Sequence, residues 1–177
     1  MSNIKRNFKQ IVAIDTNTRT INGRSISVTC SYYTPNLLSP DQAETDAELL
    51  GGFISFDCGV NPETLGWHLI LSKYVNPSLL LTGCRLAIVV DSELGRLESF
   101  NSRETPYFDD HVLPDHIQFI YASDTDSDSL PGKMIRTCDS VADKVLDEIC
   151  TPSFILPTPS NGDSLHRGHF SIDFESI

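Results

Sequence analysis

Leu86-Ala-Ile-Val-Val90 is a run of five apolar residues with Asp91 directly behind it. A strand that is apolar on both sides has both faces covered, the condition at the centre of a parallel sheet flanked by helices. Upstream, Asn61-Pro62-Glu63 has the chemistry of a helix start. It offers a capping side chain, a proline whose missing N–H costs nothing at the first helical position, and an acid in the first turn. That helix is predicted to run to about Val75 and to stop before Asn76-Pro77. Phe53-Ile-Ser-Phe56 reads as the strand before it, and Pro35 to Leu50 as a loop with a short helix starting near Ser39-Pro40.

Nearer the start, Ile11-Val-Ala-Ile-Asp15 is a β-forming run that ends in a carboxylate, and Asn22-Gly23 is the two-residue signal of a hairpin. Ser25 to Tyr33 alternates, with Ile26, Val28, Cys30 and Tyr32 on one face and Ser25, Ser27, Thr29 and Ser31 on the other. That pattern predicts a half-buried strand antiparallel to the first. Downstream of Asp91, residues 92–114 are read as a short helix and a loop. Ile117-Gln-Phe-Ile-Tyr121 is a further strand, followed by the polar loop Ser123 to Ser129. From about Lys133 to Ile149, Met134, Ile135, Cys138, Val141, Ala142, Val145, Leu146 and Ile149 keep the helical period. The expectation is one α/β domain over residues 1–150. Its mixed five-stranded sheet has an antiparallel N-terminal hairpin and helices on its faces. Residues 151–177, with prolines at 152, 157 and 159, are read as an extended tail.

Length and composition fit that outline. The 177 residues are enough to bury a core, and the 40% hydrophobic and 21% charged fractions are ordinary for a globular domain. No stretch approaches the roughly 18–20 apolar residues of a membrane span, and the polar N-terminus has no secretory-signal pattern. The five cysteines (Cys30, Cys58, Cys84, Cys138 and Cys150) are odd in number and form no Cys-x-x-Cys pair. Buried free thiols in a reducing, cytoplasmic setting are expected. The net charge of −11 argues against a broad basic surface for nucleic acid. It leaves room for an enzyme whose bound metal ions meet the phosphates.

Four carboxylates stand at patterned places. Asp15 ends the first strand, Glu63 opens the helix after the third, and Asp91 ends the fourth as Asp91-Ser92. Asp139 lies on the last helix within Ile135-Arg-Thr-Cys-Asp139-Ser-Val-Ala, with Asp143 one turn further on the same side. This order of strands and acids resembles the ribonuclease H-like superfamily over roughly residues 9–150, in arrangement rather than in identity. The resemblance implies a two-metal nuclease or phosphodiesterase. Asp15, Glu63, Asp91 and Asp139 would be its catalytic and metal-binding residues, with Asp143 as a substitute or support for Asp139. Mg²⁺ or Mn²⁺ would be the cofactor and nucleic acid the partner, held through the bound metal. Two departures stand out. Asp15-Thr-Asn-Thr18 replaces the family's Gly-rich first strand, and Ser123 to Ser129 lacks the Gly-His before the last helix.

Each acid also has a plainer use: Asp15 terminating a strand and bonding Thr16 or Thr18 locally, Asp91 beginning a turn, Glu63 against the helix N-terminus, Asp139 as a solvated surface group. A second expectation is therefore a non-catalytic domain of the same fold that binds a protein through the tail's Phe154-Ile-Leu and Phe170-Ser-Ile-Asp-Phe174 stretches. Other constellations fall short. Asp124-x-Asp126-x-Asp128 opens like a calcium loop, but the required Gly is Ser129 and the required Glu is Ile135. Gly51-Gly52 precedes a strand instead of cradling phosphate. His111, His116, His166 and His169 lack the supporting ligands of a zinc site. No Gly-x-Ser-x-Gly elbow occurs.

Overall fold

The computed structural model describes residues 8, 10–34, 47–75, 85–91, 96–123, 125–126 and 128–151, and the backbone of residues 168–172. Asn22 and Gly23 both take positive φ, 52° and 77°, so the chain reverses in two residues. This joins β1 (Gln10–Ile21) to an antiparallel β2 (Arg24–Thr34) in continuous register from Ile21↔Arg24 to Ile11↔Thr34. β3 (Glu48–Phe56) pairs antiparallel with β2. It begins earlier than Phe53, where the sequence reading placed it. Gly51 (φ 148°) lies at an irregularity in the β2–β3 pairing, and a Cβ there would sit 2.3 Å from the Tyr74 ring. The Gly51-Gly52 pair thus serves a bulge and a close ring contact inside the strand.

α1 (Pro62–Tyr74) follows, then β4 (Leu86–Val90), α2 (Leu97–Asn101), β5 (Ile117–Tyr121), α3 (Leu130–Ile149) and β6 (Gly168–Ile172). The sheet order is β5-β4-β1-β2-β3-β6, with β4 parallel to both β1 and β5. The five strands expected are all present, and the sheet is mixed. A sixth is added because Gly168–Ile172, assigned from sequence to the tail, pairs antiparallel with β3. Phe154, Ile155 and Leu156 lie outside the described residues, as do Pro35–Asp46 with the expected short helix.

Every residue of β4 is buried, and its side chains divide between two cores. Leu86, Ile88 and Val90 pack with α1 and α2, whereas Ala87 and Val89 pack with α3. The polar face of β2 is not solvated, unlike the half-buried strand its alternation predicts, since Ser27, Thr29 and Ser31 are buried. Hydroxyls satisfy one another there, Thr16 with Thr29 and Thr18 with Ser27 at 2.8 Å each, while Ser31 Oγ donates to the Gly51 carbonyl. Paired hydroxyls remove the cost that would otherwise keep such a face in water. α3 starts three residues before Lys133 because Ser129 caps it, accepting from Gly132 N, with Pro131 in the first turn.

β5 is the outer strand on one side, and its rim is occupied by side chains. Asn101 Nδ2 donates to the Phe119 carbonyl, and Asn101 Oδ1 accepts from Phe119 N at 2.7 Å. Arg103 donates to the carbonyls of Pro114 and Ile117. Cys30, Cys58 and Cys138 are buried free thiols and Cys150 is half-buried, while Cys84 lies outside the described residues. Among the described residues no helix is long and apolar enough to cross a membrane.

Candidate metal centre

β1 and β4 run parallel with Ala13 opposite Val89, so two residues further along Asp15 and Asp91 come level on neighbouring strands. Glu63 reaches the same place from α1. The Asn61 side chain fixes the start of that helix, its Oδ1 accepting from Glu63 N at 2.8 Å and Thr64 N at 3.4 Å. Gly66, one turn on, lets the helix settle onto the sheet. A Cβ at Gly66 would stand 2.4 Å from Thr29 Oγ1 and 2.6 Å from Thr16 Oγ1. Thr16 is the neighbour of Asp15, so this contact ties the position of Glu63 to that of Asp15. Trp67, fully buried, anchors the helix against Phe119 and Phe100.

One carboxylate oxygen each from Asp15, Glu63 and Asp91 lies within 4.8 Å of the others. Asp15 is 2% exposed, and its Oδ2 is buried without a hydrogen-bond partner. Glu63 Oε2 is likewise buried and unpartnered. Burial pushes Asp15 up to about 8, helped by the negative charges of Asp91 and Asp139 and by a hydrogen bond with Asp91, against a backbone bond at Thr16 that lowers it. Burial also pushes Glu63 up to about 8, with Asp15 and Asp91 adding to the rise. The Trp67 indole favours the Glu63 charge, yet Trp67 Nε1 makes no well-formed hydrogen bond and is itself buried without a partner. The charges that act on Asp15 and Glu63 are thus other carboxylates. Such a group takes up either protons or a cation.

Asp139 is placed beside this group but is not one of the three. Its Oδ1 accepts from Asn17 Nδ2 at 2.9 Å, and its backbone carbonyl accepts from the same nitrogen at 3.2 Å. It stands near enough for its charge to act on Asp15. Asp143 is turned to a different partner, pairing with Arg19 at 3.4 Å, and Arg19 also pairs with Asp147. Alternation along β1 and the turns of α3 explain this sorting. Asn17 and Arg19 lie two apart on the face of β1 that meets α3, and Asp139, Asp143 and Asp147 lie four apart on α3. Each step along the strand therefore meets one turn of the helix.

The contributions of Asn17, Gly66, Thr16 and Thr29 were not read from the sequence. A glycine one turn after a helix cap, followed by tryptophan, was the visible signal for Gly66. Among the described residues no histidine or cysteine joins a group able to hold a metal. His111 lies edge-on to His68, with ring centroids 4.5 Å apart. Ser92, Asp124 and His166 lie outside the described residues. No model of a known protein family matches the chain, and no curated protein sequence matches it.

Proposed function

We propose that the chain is a metal-dependent phosphodiesterase of ribonuclease H-like fold. In this reading Asp15, Glu63 and Asp91 hold a Mg²⁺ or Mn²⁺ ion, and Asp139 contributes to a second. The observation that carries the reading is the convergence of three carboxylates within 4.8 Å, two of them with buried oxygens that no protein donor satisfies. Oxygen ligands in this number suit a hard divalent ion that keeps several waters. Two such ions, when bound, activate a water and stabilise the leaving oxygen of a phosphodiester.

Asn17 leaves one Asp139 oxygen uncommitted by its hydrogen bond to the other, so Asp139 keeps a ligand atom for an ion near Asp15. Arg19 holds Asp143 and Asp147 on the solvent side, which leaves Asp143 out of the proposed ligand set. Support for the family comes from the order of elements, three antiparallel strands followed by two parallel ones, with the acids on the first strand, first helix, fourth strand and last helix. The net charge of −11 is compatible with phosphate binding when bound ions supply the positive charge.

The test is a Mn²⁺ titration by calorimetry, beside cleavage of labelled single strands, duplexes and RNA–DNA hybrids, for the wild type and Asp91→Asn. The wild type is expected to bind the ion and cleave, and the folded variant to do neither. Undiminished cleavage by Asp91→Asn would refute the reading. A wild type that binds no ion moves the weight to a non-catalytic domain that binds a protein.

A further inference from the structure

A cleft of about 630 Å³ opens between α2 and the end of β5, lined by Arg96, Glu98, Ser99, Ser102, Glu104 and Tyr121. That size lies within the range of small-molecule sites, roughly 300–1,000 Å³. Tyr121 is out of keeping with its strand. Ile117 and Phe119, on the same face of β5, are each 3% exposed and sit in the core, whereas Tyr121 is 45% exposed. It is one of two large hydrophobic residues, among those described, that stand so open to solvent.

Its position gives that exposure a use. Tyr121 pairs with Val90, the residue before Asp91, and Ala122 N donates to the Val90 carbonyl at 3.0 Å. β5 therefore carries Tyr121 about 5 Å to the side of the strand that ends in Asp91. Strand alternation places it on the sheet face covered by α1, the helix of Glu63. The cleft thus lies at the same end of the parallel strands as Asp91, one strand to the side.

We propose that this cleft is a base-binding subsite for single-stranded nucleic acid, with the Tyr121 ring as its stacking platform; this rests on the metal-centre reading above. The lining chooses a base over a phosphate. Glu98 and Glu104 outnumber Arg96, so a phosphate gains no net attraction there, while an uncharged aromatic ring can cover Tyr121. Ser99 Oγ donates to the Arg96 carbonyl and Ser102 Oγ to the Ser99 carbonyl, so both hydroxyls keep lone pairs for the N–H groups of a base. The strand must be single because base faces inside a duplex are already stacked on their neighbours. The acidic character of the chain agrees. With a net charge of −11, stacking and bound metal replace the basic track that a duplex reader uses.

The experiment uses the full chain with Ca²⁺ and reads fluorescence anisotropy of a labelled oligothymidylate and a hairpin duplex. Wild type, Tyr121→Ala and Tyr121→Phe are compared, with ion affinity and a melting curve measured on each. The single strand is expected to bind more tightly than the duplex. Tyr121→Ala should weaken it on the order of tenfold, the scale of one lost base–aromatic stack. Tyr121→Phe should keep the affinity, and ion binding should be unchanged in both variants. Equal single-strand affinity in Tyr121→Ala, duplex binding as tight as single-strand binding, or no single-strand binding by the ion-loaded wild type overturns the proposal. A wild type that binds no ion but loses single-strand affinity in Tyr121→Ala keeps the cleft and removes the metal reading alone.

Discussion

Two groups of acids lie on either side of Asn17 and Arg19 of β1, and they are opposites. Asp143 and Asp147 are exposed and share the guanidinium of Arg19. Asp15 is buried and Glu63 half-buried with one oxygen enclosed, and the charges that act on them are further carboxylates. The first arrangement is what a surface does with charge: water and a flexible cation absorb it at little gain or cost. The second is unfavourable in isolation and persists only because the strands and α1 impose it. Residue type is the same in both places. What separates a candidate site from a solvated face is whether neutralisation comes from the chain or has to come from outside.

Asp15→Asn against Asp143→Asn should break the comparison most sharply. Asp15→Asn is expected to lower divalent-ion affinity by about 100-fold or more, and Asp143→Asn to leave it unchanged, both read by calorimetry. Equal effects would erase the distinction between the two groups. The pH dependence of stability comes next. Asp15 and Glu63 are raised from 3.8 and 4.5 to about 8, so between those values the folded protein binds more protons than the unfolded chain. Stability of the ion-free protein should therefore fall as pH rises from about 4 through 8, then level off. Saturating Mn²⁺ should flatten that slope in denaturant titrations at pH 5, 7 and 9.

Gly66→Ala tests the scaffold beneath the buried group. Its methyl would meet two hydroxyl oxygens inside 3 Å, so α1 must lift, at a cost of about 1–3 kcal/mol in chemical denaturation. Ion affinity should fall with it, since Glu63 rides on the same turn. Asn17→Ala frees Asp139 from its donor and should weaken ion binding by about tenfold, as loss of a supporting hydrogen bond typically does. The smallest effect belongs to Arg19→Gln, which should barely move the melting temperature and leave ion affinity alone. A strong loss of ion binding there would mean that the two groups are coupled.

Much of this was legible in the sequence where a pattern is local. β4 was evident because a strand covered on both faces must be apolar throughout, and α1 because cap, proline and acid all act within one turn. Glu63 and Asp91 were found because each opens or closes such an element, and Asp15 because it ends an apolar run, although β1 continues past it to Ile21. The rest depends on contacts that span the chain. Asn17 has meaning only beside Asp139, 122 residues away. Gly51 reads as a residue before a strand, and its use inside β3 shows only when the Tyr74 ring is placed against it. β6 lies in a stretch whose composition signals an extended tail, and its strand character comes from the waiting edge of β3. The serine and threonine face of β2 reads as solvated because sequence does not reveal which hydroxyls will meet.

Asn101 treats Phe119 as an adjacent strand would, giving one hydrogen bond and receiving another, while Arg103 takes the Ile117 carbonyl nearby. The outer border of β5 is thereby closed as a template. An unfolded segment or a second copy seeking backbone partners there finds them engaged, and the protein resists sheet-by-sheet polymerisation from that side without spending a helix on it.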